Sequence, residues 1–145
     1  MKLFLRIIIA LVLLSAGTAK LLDVAGFEAV LHSYRFFPRA LIQPVAVAVI
    51  ASELIIASWL LWGKVLLRAA QASIMLHSCY ALWAVYMLLR GKPIFNCGCF
   101  GSLLARPLSW MTVVEDLVMV SLSVAVVALC RRQVRHSEIT IAHEH

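Results

Sequence analysis

Ile7-Ile8-Ile9-Ala10-Leu11-Val12-Leu13-Leu14-Ser15-Ala16-Gly17-Thr18-Ala19 runs without a charge between Arg6 and Lys20. A membrane-crossing helix needs about 20 predominantly apolar residues. The run alone is short of that, so the span is expected to cover 3–22. Arg6 and Lys20 would then lay their stems along the apolar layer and snorkel toward opposite interfaces. Lys2, the apolar run and Gly17-Thr18-Ala19 also match the outline of a secretory signal with a small-residue cleavage site. Because the run resumes at Leu21-Leu22 and more apolar segments follow, an uncleaved first helix is expected.

Three further runs lie downstream. One begins after Pro44 and ends before Gly63-Lys64 (44–62), and a second (65–89) is closed by Arg90-Gly91-Lys92-Pro93. The last (108–130) is stopped by Arg131-Arg132. The pattern predicts an all-α membrane protein, a bundle of four transmembrane helices filling residues 1–132, with a polar cytoplasmic tail at 133–145. Between the first two spans, Phe27, Val30, Leu31 and Tyr34 recur at i, i+3, i+4 and i+7, while Glu28, His32 and Arg35 face elsewhere. Phe36-Phe37-Pro38 ends that segment, which predicts a short amphipathic helix lying in the interface over the bundle.

Composition agrees. Of 145 residues, 63% are hydrophobic and 14% charged, where a soluble domain carries about 25% charged residues. The mean hydropathy is +0.97, so the lipid bilayer is the expected solvent. A net charge of +6 would suit nucleic acid, but the basic residues stand at the ends of apolar runs, where they meet lipid headgroups. No nucleic-acid partner is expected. Four spans bring both termini to one side, together with Lys2, Arg6, Lys64, Arg68, Arg131, Arg132 and Arg135. Lys20, Arg35, Arg39, Arg90, Lys92 and Arg106 lie on the other. The small excess favours cytoplasmic termini.

The chemistry concentrates in Asn96-Cys97-Gly98-Cys99-Phe100-Gly101, between the third and fourth spans. Two cysteines one residue apart are too close for a relaxed structural disulfide, although Gly98 gives the backbone freedom to close the ring. A strained, exposed disulfide is more oxidising and more open to attack than a buried one. Redox exchange is thus one reading of the pair. A permanent disulfide that shapes the loop is another. Metal binding is the third, but two thiolates need further ligands and the loop has no histidine; no metal site is assigned. Cys79, roughly 18 Å into the third helix by helical rise, and Cys130, at the opposite face, read as small apolar residues, with Cys79 gaining a role only if the loop folds into the bundle. Asn96 and the extended segment before it should leave Cys97 the more open of the two, with Phe100 folding Cys99 back over the bundle.

Polar residues also fall inside the spans. Glu53 lies about nine residues into the second span, His77 near the middle of the third, and Thr112, Asp116 and Ser123 share a face of the fourth, with Glu115 adjacent. A charge at such depth costs several kcal/mol unless compensated. Glu53 is therefore expected to be protonated or paired, with His77 or Lys20 as partner. Such residues serve either as glue between helices or as a proton or quinone site.

Taken together, these residues resemble the MauE branch of the DoxX-like membrane proteins. The resemblance rests on Ser15-Ala16-Gly17-Thr18-Ala19-Lys20-Leu21-Leu22-Asp23, on Phe27 with Tyr34 and Pro38, on Glu53-Leu54, on Arg90-Gly91-Lys92, and most specifically on Cys97-Gly98-Cys99-Phe100-Gly101. Glu115-Asp116 departs from the Arg-Asn pair expected in many relatives. The resemblance implies a four-helix bundle similar in architecture to vitamin K epoxide reductase-like proteins, set in a bacterial inner membrane. It further implies an association with maturation of methylamine dehydrogenase, a disulfide-rich client, beside a periplasmic thioredoxin-like partner. The expected function is a thiol–disulfide relay with Cys97 and Cys99 as the catalytic pair in a periplasmic loop. Gly98, Phe100 and Gly101 would shape that loop; Lys20, Glu53, His77 and Asp116 would support it from the bundle; a quinone is the candidate membrane carrier. The alternative is a non-catalytic assembly or scaffold subunit with a structural loop disulfide.

Overall fold

A computed structural model describes residues 2–91, 94–102 and 105–143, those beyond Arg132 by backbone alone. The described residues form five helices: α1 (Lys2–Leu22), α2 (Val24–Ser33), α3 (Arg39–Trp62), α4 (Leu66–Leu89) and α5 (Trp110–His143). Four are long and apolar enough to cross a membrane: Lys2–Leu22, Arg39–Trp62, Leu66–Leu89 and Trp110–Arg132. The protein is a multi-pass, all-α membrane protein, and α2 is the short amphipathic helix between the first and second spans.

Two boundaries differ from expectation. The second span starts at Arg39 rather than after Pro44, which lies inside α3. Proline removes one hydrogen bond, here the one to the carbonyl of Ala40; Ala40 is exposed, so its carbonyl has room to find another partner. At the other end of the chain, α5 continues past Arg132 to His143. The side chains of the expected tail, and residues 144–145, lie outside the described residues.

Helices α1 and α3 pack closely, as do α4 and α5, and the two pairs meet along α3–α4 and α1–α5. Small residues permit this. A Cβ at Gly17 would come within 2.9 Å of Leu54 and 3.2 Å of Glu53, and Ala10, Ala57, Ala69 and Ala70 are fully buried. With lipid outside, close packing of small residues replaces the hydrophobic drive available in water. Large apolar residues such as Leu11, Ile55, Met75, Leu82 and Leu117 point outward, as lipid-facing positions should.

The core is apolar at both ends and polar between. At the terminus side Ile9, Leu13, Leu60, Leu66 and Val126 form one cluster. On the loop side α2 lays Phe27, Val30, Leu31 and Tyr34 against Ile42, Ile50 and Met87. Asp23 caps α2, accepting from the Gly26 N–H at 2.9 Å, and its other carboxylate oxygen accepts from the Ser102 hydroxyl. Beyond α2, Phe37 stacks on Trp83 with ring centroids 5.4 Å apart, while Phe36 meets the same ring edge-on at 4.8 Å. Such an aromatic belt marks a membrane interface.

Between the clusters Lys20 does not snorkel. It turns into the bundle, 2% exposed, and its ammonium donates to both oxygens of Glu53, at 2.8 and 2.9 Å. Snorkelling would have left Glu53 as an unpaired buried charge, a greater cost than burying both partners together. Removing one member of such a pair costs about 3–5 kcal/mol, whereas an apolar replacement of both is often neutral. Lys20→Met and Glu53→Leu should therefore each destabilise the protein strongly, and the double variant should recover most of the loss. Thermal unfolding of the reconstituted variants measures this; additive losses would refute the pairing.

Candidate functional site

The loop between α4 and α5 folds inward. Backbone bonds Cys97 N–H to Arg106 C=O (2.8 Å) and Leu108 N–H to Ile94 C=O (3.0 Å) tie its two arms together. At the tip, Asn96 Oδ1 accepts from the Gly98 N–H at 2.9 Å and Asn96 Nδ2 donates to the Gly101 carbonyl at 3.1 Å. This side-chain mimic of a turn is a habit of asparagine. Gly98 and Gly101 adopt φ of 72° and 63°, a region that penalises any Cβ. At Gly98 a Cβ would also meet Val30 at 3.0 Å, and at Gly101 the Lys20 backbone at 3.2 Å.

Two helix side chains hold the loop against the bundle. Tyr34, at the C-cap of α2, donates its hydroxyl to the Cys97 carbonyl at 2.6 Å. Lys20, from α1, donates to the Cys99 carbonyl at 2.6 Å. Burial pushes the Tyr34 phenol above its usual range, so it remains a donor. Both cysteine carbonyls are thus engaged. Cys97 Sγ and Cys99 Sγ lie 3.0 Å apart, and both cysteines are free thiols.

The burial order reverses the expectation. Cys97 is buried, 9% exposed, and Cys99 is the half-exposed member. The Tyr34 bond and the close fit of Gly98 over α2 draw Cys97 inward. The two thiols also differ in acidity. Its hydrogen-bond contact with the Cys99 side chain lowers Cys97 most; against the opposing effect of burial, the Cys99 backbone N–H and the Arg106 charge add to bring it from 9.0 to about 6. Cys99, beside that thiolate and partly buried, is pushed up. Arg106 is held in place by Glu115, Nη1 to Oε1 at 2.9 Å.

Two cavities meet at the pair. The first, about 250 Å³, lies in the α3–α4 seam beneath α2, and Phe27, Tyr34, Trp83, Cys97 and Cys99 contribute to its walls. The second, about 410 Å³, lies in the α1–α5 seam and borders Glu53, His77, Phe100 and Arg106. Tyr80, Cys99, Thr112 and Asp116 line both.

The expected supporting residues divide. Lys20 and Glu53 sit directly behind the loop, and Tyr80 joins them by donating to Glu53 Oε1 at 3.0 Å. Asp116 reaches the shared wall of the cavities. His77 does not bond Glu53; its Nδ1 lies 2.9 Å from the Ser73 carbonyl, and Ser73 meets Ser123 of α5 at 3.0 Å. That makes His77 part of the α4–α5 seam. With the loop folded inward, Cys79 joins the first cavity. Tyr34 and Arg106 were missed as site residues, since their partners are a carbonyl and a thiol distant in sequence. Among the described residues, no three His, Cys, Asp or Glu side chains group to hold a metal.

An acidic Cys97 is testable by alkylation of the reduced protein with a small uncharged reagent across pH. Reaction follows the thiolate, so Cys97 should be modified with a midpoint near 6, well below an ordinary thiol. Arg106→Gln and Cys99→Ser should each move the midpoint upward. A Cys97 midpoint at or above 8.5 would contradict the geometry.

Comparison with known proteins follows the same outline. The family described as "Methylamine utilisation protein MauE" matches residues 1–130. "Methylamine utilization protein MauE" of Paracoccus denitrificans is 32% identical over 122 residues, which is 84% of this chain and 66% of that protein. Its namesake in Paracoccus versutus is 27% identical over 125 residues, 86% of this chain and 67% of that protein. The chain thus spans about two thirds of the length of these curated relatives. No solved structure matches. Four apolar spans, the Cys-Gly-Cys loop and a family match over residues 1–130 agree, and the chain belongs to the MauE family.

Proposed function

We propose that this protein is an inner-membrane thiol–disulfide relay, exchanging through Cys97 and Cys99 with a thioredoxin-like partner outside the cytoplasm. The client is an enzyme of methylamine utilisation or another disulfide-dependent periplasmic protein, a reading supported by the names of the two Paracoccus relatives. The observation that carries the proposal is the pair itself: two free thiols with sulfurs 3.0 Å apart, Cys97 buried and Cys99 partly exposed, beside the Arg106 charge. A purely structural disulfide has no need of a neighbouring cation, whereas a cation stabilises a departing thiolate and speeds exchange.

The inequality orders the step. With the loop oxidised, a partner thiolate attacks the sulfur of Cys99, the less buried residue of the two, and the Cys97–Cys99 bond breaks. Cys97 leaves as the thiolate that its Cys99 and Arg106 neighbours favour. The partner's second thiol then attacks the mixed disulfide, so that the partner is oxidised and Cys97 and Cys99 are both reduced. The loop faces the periplasm and the termini the cytoplasm, in keeping with the basic-residue excess and with the compartment in which disulfides persist.

Cys97→Ser should accumulate a thiol-sensitive adduct with a thioredoxin-like protein on non-reducing gels after rapid acid alkylation, and Cys99→Ser should not. Adducts in Cys99→Ser alone would exchange the roles of the two residues. If neither variant gives an adduct and both support client maturation, the scaffold reading replaces the relay.

Orientation has its own test. In reduced cells with a permeabilised outer membrane, an impermeant maleimide should label Cys99. Labelling only after the inner membrane is broken would place the loop in the cytoplasm.

A further inference from the structure

We infer that a third cavity, at the loop-side membrane interface, seats the phosphate headgroup of an anionic phospholipid between Arg35 and Arg90. The inference rests on the four membrane spans and is independent of the relay.

The cavity, about 440 Å³, is bordered by His32 and Arg35 at the end of α2, by Met87 and Arg90 at the end of α4, and by Ile94 and Phe95 of the loop. Ligand clefts run from about 300 to 1,000 Å³, so a phosphate and the glycerol beside it have room. Both helices stop here, α2 at its cap Tyr34 and α4 at its cap Arg90. Helix carboxyl ends carry partial negative charge, which by itself would repel an anion and which attracts basic side chains. One arginine would answer that charge. Two arginines from different helices turned on one cavity go beyond it, and among the described residues no Asp or Glu borders the cavity. Neither Arg35 nor Arg90 forms an ion pair with a described residue.

Arg90 is held ready. Its guanidinium stands 5.7 Å from the Tyr86 ring centroid, and its Nη1 lies 3.9 Å from the Met87 sulfur. A ring face and a thioether are weak partners, so its planar donors remain for two oxygens of one phosphate. Arg35 is placed against the preference of the backbone. It follows the α2 cap with a φ of 50°, the left-handed position that glycine usually takes, and its N–H closes on the His32 carbonyl at 3.1 Å. Glycine would make that turn with less strain; arginine adds a charge. The Ser33 and Tyr34 hydroxyls already donate to the Val30 and Cys97 carbonyls, so the cations are left to carry the recognition.

Depth and surroundings select a lipid over free phosphate. Arg90 follows Leu89, the last residue of the third span, which places it at headgroup level. Leu89, next to Arg90, and Phe95, in the cavity wall, are 75% and 82% exposed, and Phe36 meets Tyr86 edge-on at 5.9 Å. Such apolar and aromatic surfaces belong against acyl chains at the interface. Inorganic phosphate would use the arginines alone, whereas a phospholipid uses both surfaces.

The test reconstitutes the full chain in nanodiscs of phosphatidylcholine with a minority of phosphatidylglycerol and counts the lipids retained by native mass spectrometry. One phosphatidylglycerol per protein should be retained. Arg35→Gly/Arg90→Gln should weaken its binding about tenfold or more, the loss expected when charge-assisted hydrogen bonds are removed. Arg35→Gly alone should also weaken binding without lowering the unfolding midpoint in pure phosphatidylcholine, because glycine suits that backbone. Lys64→Gln/Arg68→Gln removes two exposed cations at the other end of α4 and should leave binding unchanged. Equal losses in the two double variants would mean a diffuse attraction of a basic chain to an acidic surface, and would overturn the site. Full retention in Arg35→Gly/Arg90→Gln would overturn it as well. Inorganic phosphate, added in competition, separates the two sources: retention of the lipid supports the headgroup seat, and its displacement would overturn the lipid assignment in favour of a free anion.

Discussion

The Lys20 ammonium divides its three protons among the two carboxylate oxygens of Glu53 and the carbonyl of Cys99. In a bilayer, each of those protons needs an acceptor from the protein itself, because no bulk water is at hand. Glu53 can satisfy two. The third acceptor comes from a residue 79 positions further along the chain, and that requirement draws the α4–α5 loop into the bundle. Gly101 suits the point of contact, because its φ of 63° is one that side chains rarely adopt and a Cβ there would lie a tight 3.2 Å from the Lys20 backbone. The ion pair that joins α1 to α3 thus also decides where the cysteines sit.

From that placement the chemistry of the pair follows. Tyr34 engages the other cysteine carbonyl, so both ends of the Cys-Gly-Cys turn are anchored through the backbone. Sulfurs held within contact can form and break their mutual bond with little movement of the chain. Arg106 lies outside the turn and biases charge toward Cys97. Its own guanidinium is fixed by Glu115, so the cation comes from the loop and its anionic partner from α5.

The spans were legible because hydropathy is a local property: four apolar runs bounded by Arg, Lys and Gly leave no other fold for a chain of this composition. The start of α3 was not, because Pro44 reads as a boundary although an exposed turn before it tolerates the lost hydrogen bond. The cysteine pair announced itself by spacing. Its burial did not, since that depends on Tyr34 and Lys20 reaching across 63 and 79 residues. Glu53 at its depth demanded a partner, and both Lys20 and His77 satisfied the requirement on paper. Only the packing of α1 against α3 selects Lys20, while the Ser73 carbonyl occupies His77. A side chain whose partner is a backbone carbonyl leaves no mark in sequence, which is why Tyr34 read only as one more apolar position on α2.

The account turns on whether Cys97 and Cys99 cycle in living cells. The direct measurement is the redox state of the pair in growing cells, in a Cys79→Ala/Cys130→Ala background, after acid quenching and alkylation with a mass-shifting maleimide. A working relay predicts that reduced and oxidised forms coexist, and that deleting the gene for the thioredoxin-like partner changes their ratio. A pair that is fully oxidised, with or without that partner, would contradict the relay and leave the loop a structural element.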